Sequence, residues 1–458
     1  MRKTLSIAIL AAGIATAQQQ PPAAAAQQPA PQQQPAGMPP SPLPPAQQPP
    51  GPPLSLADAT ALALKNHPQI AAAKDIAANA VQMITESKSS YYPTIDGEIT
   101  GVQGLGSARL GAGALSASQL FNRFGQGLQL SDLLTDFGRR KSLVDQAKFN
   151  AQAADQNTAA TTYDVVLGVN RAYFGVLEAK AYVTVADETI KARQTLTDQV
   201  TALANANLKS QYDVSAIDVN LSEAKLLLIR SQDAVERAYS ALTQALGLDQ
   251  VSHYDLAAVA VPSAPPDSPA ALIAQAVQNR PELRGMQFRL QGAQAFEQAE
   301  ADLKRPSISF YAVGGGLPYL DQTPRVAPYG YEGAALNVDI PIFNGHLFSA
   351  REQAAHYNTL AVTENIRNLR QAVENDVRNA WTEASTAYQR IPVTQQLLNQ
   401  ANLALELANG RYNLGLASIV DVTQAQLNLT QAQIENVTAT YDYQVAYAQL
   451  QYTIGALR

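Results

Sequence analysis

Asn66-His67-Pro68 and Asn279-Arg280-Pro281 are one phrase written twice, and a second proline follows each at the same remove, Pro93 after the first and Pro306 after the second. Both prolines lie 213 positions from their echoes, since 281 − 68 and 306 − 93 agree. Farther on the spacing settles at 208, pairing Val169 with Val377, Ala172 with Ala380, Tyr173 with Trp381, Asp213 with Asp421, Leu221 with Leu429, Tyr239 with Tyr447 and Gly247 with Gly455. A repeat of this length exceeds any solenoid unit and means two copies of one structural module that share a wall or an axis.

Each copy opens with a helix. Ser55-Leu56-Ala57-Asp58 has the Ser-x-x-acid form of a capping box before an Ala-rich run to about Ser90, and Ser268-Pro269 sets a capping serine before a proline in the first helical position. Pro93 and Pro306 stand where the regular hydrogen bonding of those helices must stop. Strands follow. Ile95, Gly97, Ile99 and Gly101 alternate with Asp96, Glu98 and Thr100, as Ile308, Phe310 and Ala312 do with Ser307, Ser309 and Tyr311. A second strand in each copy precedes Gly138 and Gly345; in the latter, Leu336, Val338, Ile340 and Ile342 oppose Asn337 and Asp339. The expected strands cover about 93–103 and 125–137, then 306–314 and 333–344, with Gly-rich surface loops at Gln103–Phe124 and Gly314–Gly333. Alternation alone also suits a soluble sheet with one wet face.

Beyond the strands the pattern is helical over about 139–206 and 346–413, and a rod of that length is about 100 Å long. A polar turn and a return helix follow, about 213–247 and 421–455. In the first return helix Ile217, Leu221, Ala224, Leu228, Ser231, Val235, Ala238, Leu242 and Ala245 recur in 4-3 alternation, the period of a coiled-coil seam. The second keeps the period with smaller and more polar residues, Ala425, Leu429, Ala432, Asn436, Ala439, Tyr443, Ala446, Leu450 and Thr453. Pro392 interrupts the second rod as a kink or a split; the unbroken 208 spacing on both sides favours the kink over a loop.

Composition narrows the setting. Met1-Arg2-Lys3, the apolar run Leu5–Ala15 and Ala15-Thr16-Ala17 have the order of a secretory signal over residues 1–17, and the apolar run is too short for a membrane-spanning anchor. Residues 18–53 are almost all Gln, Pro, Ala and Gly, the composition of a disordered tether. The first repeat is then 54–266 and the second 267–458. With no cysteine the chain has neither a disulfide nor an acyl-cysteine anchor. The net charge of −6 opposes nucleic acid as a partner. After the signal no run of eighteen apolar residues occurs, so a membrane crossing would have to be a closed barrel of strands. Four strands per chain are too few for one, because the smallest membrane barrels have eight, so several chains would contribute.

Ser55-Leu56-Ala57-Asp58-Ala59 leading to Lys65-Asn66-His67-Pro68, the stretch Pro341-Ile342-Phe343-Asn344-Gly345, and Arg411-Tyr412 followed by Gly415, Ser418, Asp421 and Val422 resemble the TolC family of outer-membrane efflux proteins. The likeness runs from Leu54 to Leu457. It implies a mainly α chain with a β-barrel part, three copies of which form a twelve-stranded barrel in outer-membrane lipid above a twelve-helix periplasmic tunnel. A dimer with eight strands stays open on the residues alone. The implied function is a passive exit duct for a tripartite efflux or type I secretion system, which docks a periplasmic adaptor protein and an inner-membrane transporter. The resemblance also implies anchoring by the barrel alone and, with the return helix ending beside Arg458, no C-terminal extension around the waist.

By the same resemblance the tip turns fall at Asn207–Tyr212 and Gly415–Val420. Asp421 takes the place of the family's aperture acid, Asp213 is its repeat partner, and Gln424 stands where many members carry a second acid. The basic residue common in the second turn is absent, Ala417 being there, and Lys209 holds the equivalent place in the first turn. Lys209 is therefore the candidate cation that links to an aperture carboxylate, against the plainer reading of Lys209, Asp213 and Asp421 as ordinary helix-end charges. Leu208, Ser210, Gly415, Leu416, Ala417 and Ser418 are the candidate adaptor-docking residues. The connector Leu248–Asp267 is assigned to the waist.

No cofactor or metal is expected. The four histidines, His67, His253, His346 and His356, lack metal-site spacing, and there is no lysine-bearing phosphate loop, Gly-x-Ser-x-Gly elbow or cysteine nucleophile. Tyr163, Tyr173, Tyr182 and Trp381 read as packing residues, and the chain reads as a non-enzyme. The competing reading is a periplasmic coiled-coil scaffold or adaptor without a pore, which would need no strand pairs.

Overall fold

The computed structural model describes residues 53–102, 109–110, 118–119, 123–320 and 329–457. The signal and almost all of the tether lie outside them. Helix α1 (Leu56–Asn66) starts as expected: the Ser55 hydroxyl accepts from the Asp58 amide, and the Ser55 amide donates to the Asp58 carboxylate. The opening helix is not continuous, however. His67 is extended, with φ −69° and ψ 122°, and α2 (Pro68–Ser89) begins afresh with Pro68 at its first turn. Proline pushes its predecessor out of the α region, and Pro281 does the same to Arg280 between α5 (Ala270–Asn279) and α6 (Pro281–Ala301). The end of the return helix explains where the breaks fall. Gly247 and Gly455 both have positive φ, and a Cβ on Gly247 would lie 2.7 Å from the His67 Cα, one on Gly455 3.1 Å from the Asn279 Cβ. Each duplicated Asn-x-Pro break is thus seated on the glycine at the end of its own copy's return helix.

The strands are β1 (Thr94–Val102), the short pair β2 (Arg109–Leu110) and β3 (Ser118–Gln119), β4 (Arg123–Thr135), β5 (Ser307–Leu320) and β6 (Gly330–Asp339). Four of them form one antiparallel sheet in the order β1-β4-β5-β6, with β1 and β6 at its edges. Two expectations are corrected. β5 runs on through Gly314–Gly316, because Tyr331 fills the space a side chain would take: a Cβ on Gly315 would come 2.6 Å from the Tyr331 Cζ and 2.4 Å from the Gln126 carbonyl oxygen. β6 stops at Asp339, leaving Ile340 and Ile342 outside, since Asp339 pairs with Ser307 and the next partner would be Pro306, which has no N–H to give.

α3 (Arg139–Asn205) and α7 (Leu347–Asn413) have 67 residues each. The return helices are α4 (Gln211–Leu246) and α8 (Ile419–Thr453). α7 passes Pro392 without a break. α4 packs on α3, α3 on α8 and α8 on α7, so four helices lie side by side; α2 leans on α3, and α6 lies against both α3 and α7. The 4-3 positions form the seams: Ile217, Leu221, Ala224 and Leu242 are buried in α4, and Ala432, Ala439, Tyr443 and Leu450 in α8. The connector is strapped to this layer by aromatic side chains. Tyr173 donates to the carbonyl of Ala257 (2.7 Å), Tyr443 to that of Ser263, and the Trp381 indole to that of Pro266 (2.7 Å). Tyr173 and Trp381, read from sequence as packing residues of the bundle, hold the connector against the helices.

Candidate functional site

Two parts of the molecule carry functional geometry, the sheet and the helix tips. Side chains alternate across a strand, and directly paired residues share a face. One face of the sheet is therefore mainly apolar, with Ile95, Ile99, Leu128, Leu130, Ile308, Phe310, Leu336 and Val338, and also holds Gln126, Asp132 and Glu332. The other is mainly polar, with Thr94, Asp96, Glu98, Thr100, Gln129, Ser131, Ser309 and Asn337, and also holds Leu133, Tyr311 and Val313. The apolar face is uncovered, with Ile99 74% and Leu128 63% exposed. Such a face opposite a polar one is what a strand needs to stand between lipid and water. No helix among the described residues is long and apolar enough to cross a membrane.

At the far ends of the long helices the two turns are built alike. Asn207 (φ 61°) and Gly415 (φ 74°) adopt the left-handed conformation just past α3 and α7, and the amides of Leu208 and Leu416 reach back to the carbonyls of Leu203 (2.9 Å) and Arg411 (2.8 Å). This is the six-to-one closure of a helix end. It leaves Leu208 69% and Leu416 67% exposed, two apolar points held on rigid turns.

The next residues start the return helices, earlier than the sequence suggested. Ser210 and Ser418 are their caps, and Asp213 and Asp421 close the capping boxes: the Ser210 amide donates to Asp213 Oδ2 (3.1 Å) and the Ser418 amide to Asp421 Oδ2 (2.8 Å). The backbone and hydroxyl hydrogen bonds from Ser418, aided by the Arg411 charge, hold the Asp421 carboxyl below the usual carboxylate range. Within one chain the candidate residues do not converge. Lys209 pairs with neither acid; its Nζ lies 4.3 Å from the centre of the Tyr412 ring. Gln424 donates to Asn428 (3.0 Å). Ala417 packs against an apolar knot of Leu196, Val200, Ile217, Tyr412, Ile419 and Val422 that ties the two hairpin ends together.

Sequence reasoning missed two side chains here. Tyr412 lies in the quoted Arg411-Tyr412 stretch, and only the fold shows that Lys209 rests on it. Arg193 is 5% exposed, donates to the backbone carbonyl of Asn220 in α4 (2.5 Å) and stands 3.6 Å from Glu223. Its signal was the repeat itself, since 208 positions on the chain has Ala401. Among the described residues no cluster of side chains suited to a metal occurs.

The chain matches the family model described as outer membrane efflux protein over residues 60–248 and 272–456, one match for each copy of the module. It is 25% identical over 429 residues to outer membrane protein TolC of Vibrio cholerae, covering 88% of this chain and 91% of that one. To the TolC of Salmonella enteritidis it is 24% identical over 358 residues, covering 73% and 70%. Among solved structures it is similar to the MtrE outer membrane channel of Neisseria gonorrhoeae, with a TM-score of 0.72 at 20% identity over 88% of this chain and 89% of that one. It is also similar to the CmeC outer membrane channel of Campylobacter jejuni, with a TM-score of 0.71 at 18% identity over 88% and 85%. With both copies of its module matched in order, this chain belongs to the outer membrane efflux protein family.

Proposed function

We propose that several copies of this chain, three by the family resemblance, close their sheets into one twelve-stranded barrel in the outer membrane, and that their helices form a tunnel below it through which solute leaves passively. The observation that carries this reading is the four-stranded sheet with one mainly apolar, exposed face, one mainly polar face and two unpaired edges. A scaffold or adaptor has no use for it. A sheet edge left open is a template for pairing, and closure between copies is the arrangement that satisfies it in lipid. The helices offer matching surfaces, since α4 exposes Val219, Leu226 and Ile229 and α7 exposes Val393, Leu397 and Leu407.

At the tip, Leu208 and Leu416 with their turn residues Ser210, Gly415, Ala417 and Ser418 are the proposed docking points for a periplasmic adaptor, beyond which an inner-membrane transporter supplies the energy. Asp213 and Asp421, with Gln424 one turn along, are the proposed aperture residues, because copies around an axis would set their carboxylates in a ring that favours cations. Lys209, which meets no carboxylate among the described residues, would make its link between copies.

Purified protein added to a planar lipid bilayer should produce discrete conductance steps. A membrane that stays insulating would favour the scaffold reading. Asp421→Ala and Lys209→Ala should change the single-channel conductance or its cation preference, and unchanged values in both would remove these residues from the aperture.

A further inference from the structure

Where the sheet meets the helices, the two copies of the module are joined inside one chain. The strand-to-helix turn of the first copy has two residues with positive φ, Phe137 (54°) and Gly138 (124°). Against it lies the end of α6 from the second copy: Arg305 donates to the Phe137 carbonyl (2.5 Å), and Asp302, its side chain 3% exposed, ion-pairs with Arg305 (3.3 Å). The fit is close, for a Cβ on Gly138 would lie 3.1 Å from Asp302 Oδ2. Higher in the same joint, β4 pairs with β5.

The second copy has the same turn, and among the described residues no helix end lies against it. Gly345 (φ 61°) and His346 (φ 67°) are the equivalents of Phe137 and Gly138 at the 208 spacing, both pairs standing directly before the long helix. Residues 342–347 are all exposed, Ile342 at 93% and Phe343 at 80%. The surface that would cover this turn by repetition is the end of α2; Arg140 of α3 holds its inner side, donating to the Ser90 carbonyl (2.7 Å) and lying 4.7 Å from the centre of the Tyr91 ring, but residues 88–94 are all exposed, Tyr92 at 71%. The two edge strands, β6 and β1, belong to the same two half-joints. So does the helical face below, where Tyr357, Asn358 and Ala361 of α7 are exposed while their equivalents Phe149, Asn150 and Ala153 in α3 lie under or beside α6.

We propose that the bare turn 342–347 of one copy is the seat for residues 88–94 of a second copy of this chain, repeating between chains the joint that Gly138 and Asp302 make within one. The proposal rests on the multi-chain barrel and names the contact that closes it. Its chemistry differs from the internal joint. At the 213 spacing Arg305 is replaced by Tyr92, Lys304 by Tyr91 and Asp302 by Ser89, and at the 208 spacing Arg139 is replaced by Leu347. The joint within the chain is ionic. The joint between chains is aromatic against aliphatic, so the collar alternates between the two kinds, and its assembly contacts are indifferent to salt.

The test uses the full chain, which has no cysteine of its own. Ser89→Cys and His346→Cys occupy the places of Asp302 and Gly138. In membranes, a short bismaleimide should link the double variant into covalent oligomers on a denaturing gel, and neither single variant. The yield should be the same in low and high salt. The mass of the untreated double variant in detergent is measured alongside. Multi-chain particles that give no covalent product, or a yield falling several-fold in high salt, would overturn the proposed seat and leave the barrel standing. Single chains in detergent would overturn both.

Discussion

Glu178, partly buried, and Arg193, buried, are two charges on the same helix with opposite consequences. Burial raises the Glu178 carboxyl above its ordinary value and the charge of Asp442 adds to the rise, although the Tyr182 hydroxyl donates to it at 2.6 Å. The same contact and burial push the Tyr182 phenol up to about 12. A carboxyl whose folded pKa exceeds its unfolded one favours folding below the unfolded value, and that advantage is lost as pH rises through the folded value. Glu178→Gln keeps the acceptor for Tyr182 and removes the charge, so the variant should melt higher than the parent at pH 8 and lose that lead toward pH 4. A constant difference across that range would show that the charge is not the cause. Arg193 is instead an anchor. Burial lowers its pKa, the Glu223 charge opposes that, and the guanidinium is spent on a carbonyl of α4. Arg193→Met should cost about 1.5–3 kcal/mol, the range for a hydrogen bond to a charged group. It should also speed amide exchange in the lower half of α4 more than in α8, whose hairpin has Ala401 in that place. Equal acceleration in the two helices would mean general loosening.

At the scale of elements, much could be read and some was there unread. The 4-3 spacing picks out the buried positions of α4 and α8 because a helix facing a neighbour along its whole length has no other way to stay dry on one side. The break at His67-Pro68 was equally legible, since proline always restrains the residue before it, yet an Ala-rich run on both sides disguised it. The extension of β5 through three glycines was not legible: it depends on Tyr331, a residue on another strand. The tip acids show the same division. Their place at helix starts was plain from Ser-x-x-Asp, whereas the resting of Lys209 on Tyr412 needs two hairpins brought together. Gly247 ties these threads to stability. Its φ of 68° strains any other side chain, and a Cβ there would meet the His67 Cα at 2.7 Å, an overlap with backbone that no rotamer relieves. Gly247→Ala should lower stability by at least ~1 kcal/mol from the left-handed conformation alone, with overpacking costing ~1–3 kcal/mol more. Gly455→Ala, where the nearest atom is the Asn279 Cβ at 3.1 Å, should cost less. Thermal melting of the two variants side by side checks the order, and a reversed order would remove the seating of the breaks as the reason for the glycines.

In the proposed reading the chain divides its labour along its length: strands would meet lipid, helices would enclose water, and the turns that expose Leu208 and Leu416 would meet a partner. The sheet is where this division can be tested with single residues, because neighbours along a strand point to opposite sides. Leu128 and Gln129 are adjacent in β4; Leu128 shares its face with Gly97 and Gly314 and Gln129 shares the other with Asp96 and Val313. If the apolar face meets hydrocarbon, Leu128→Arg costs about 2–4 kcal/mol when the residue lies near the bilayer midplane, and less toward either rim. Gln129→Arg on the inner face meets water and should insert as well as the parent while shifting conductance toward anions. A soluble sheet gives the reverse order of effects: an arginine added to an already exposed face would be harmless at Leu128. The measurement is the fraction of each refolded variant that floats with liposomes in a density gradient. The expected result is a several-fold loss for Leu128→Arg and none for Gln129→Arg; equal flotation of the two would mean that this face never sees lipid, and the reading of the sheet as a barrel wall would fail with it.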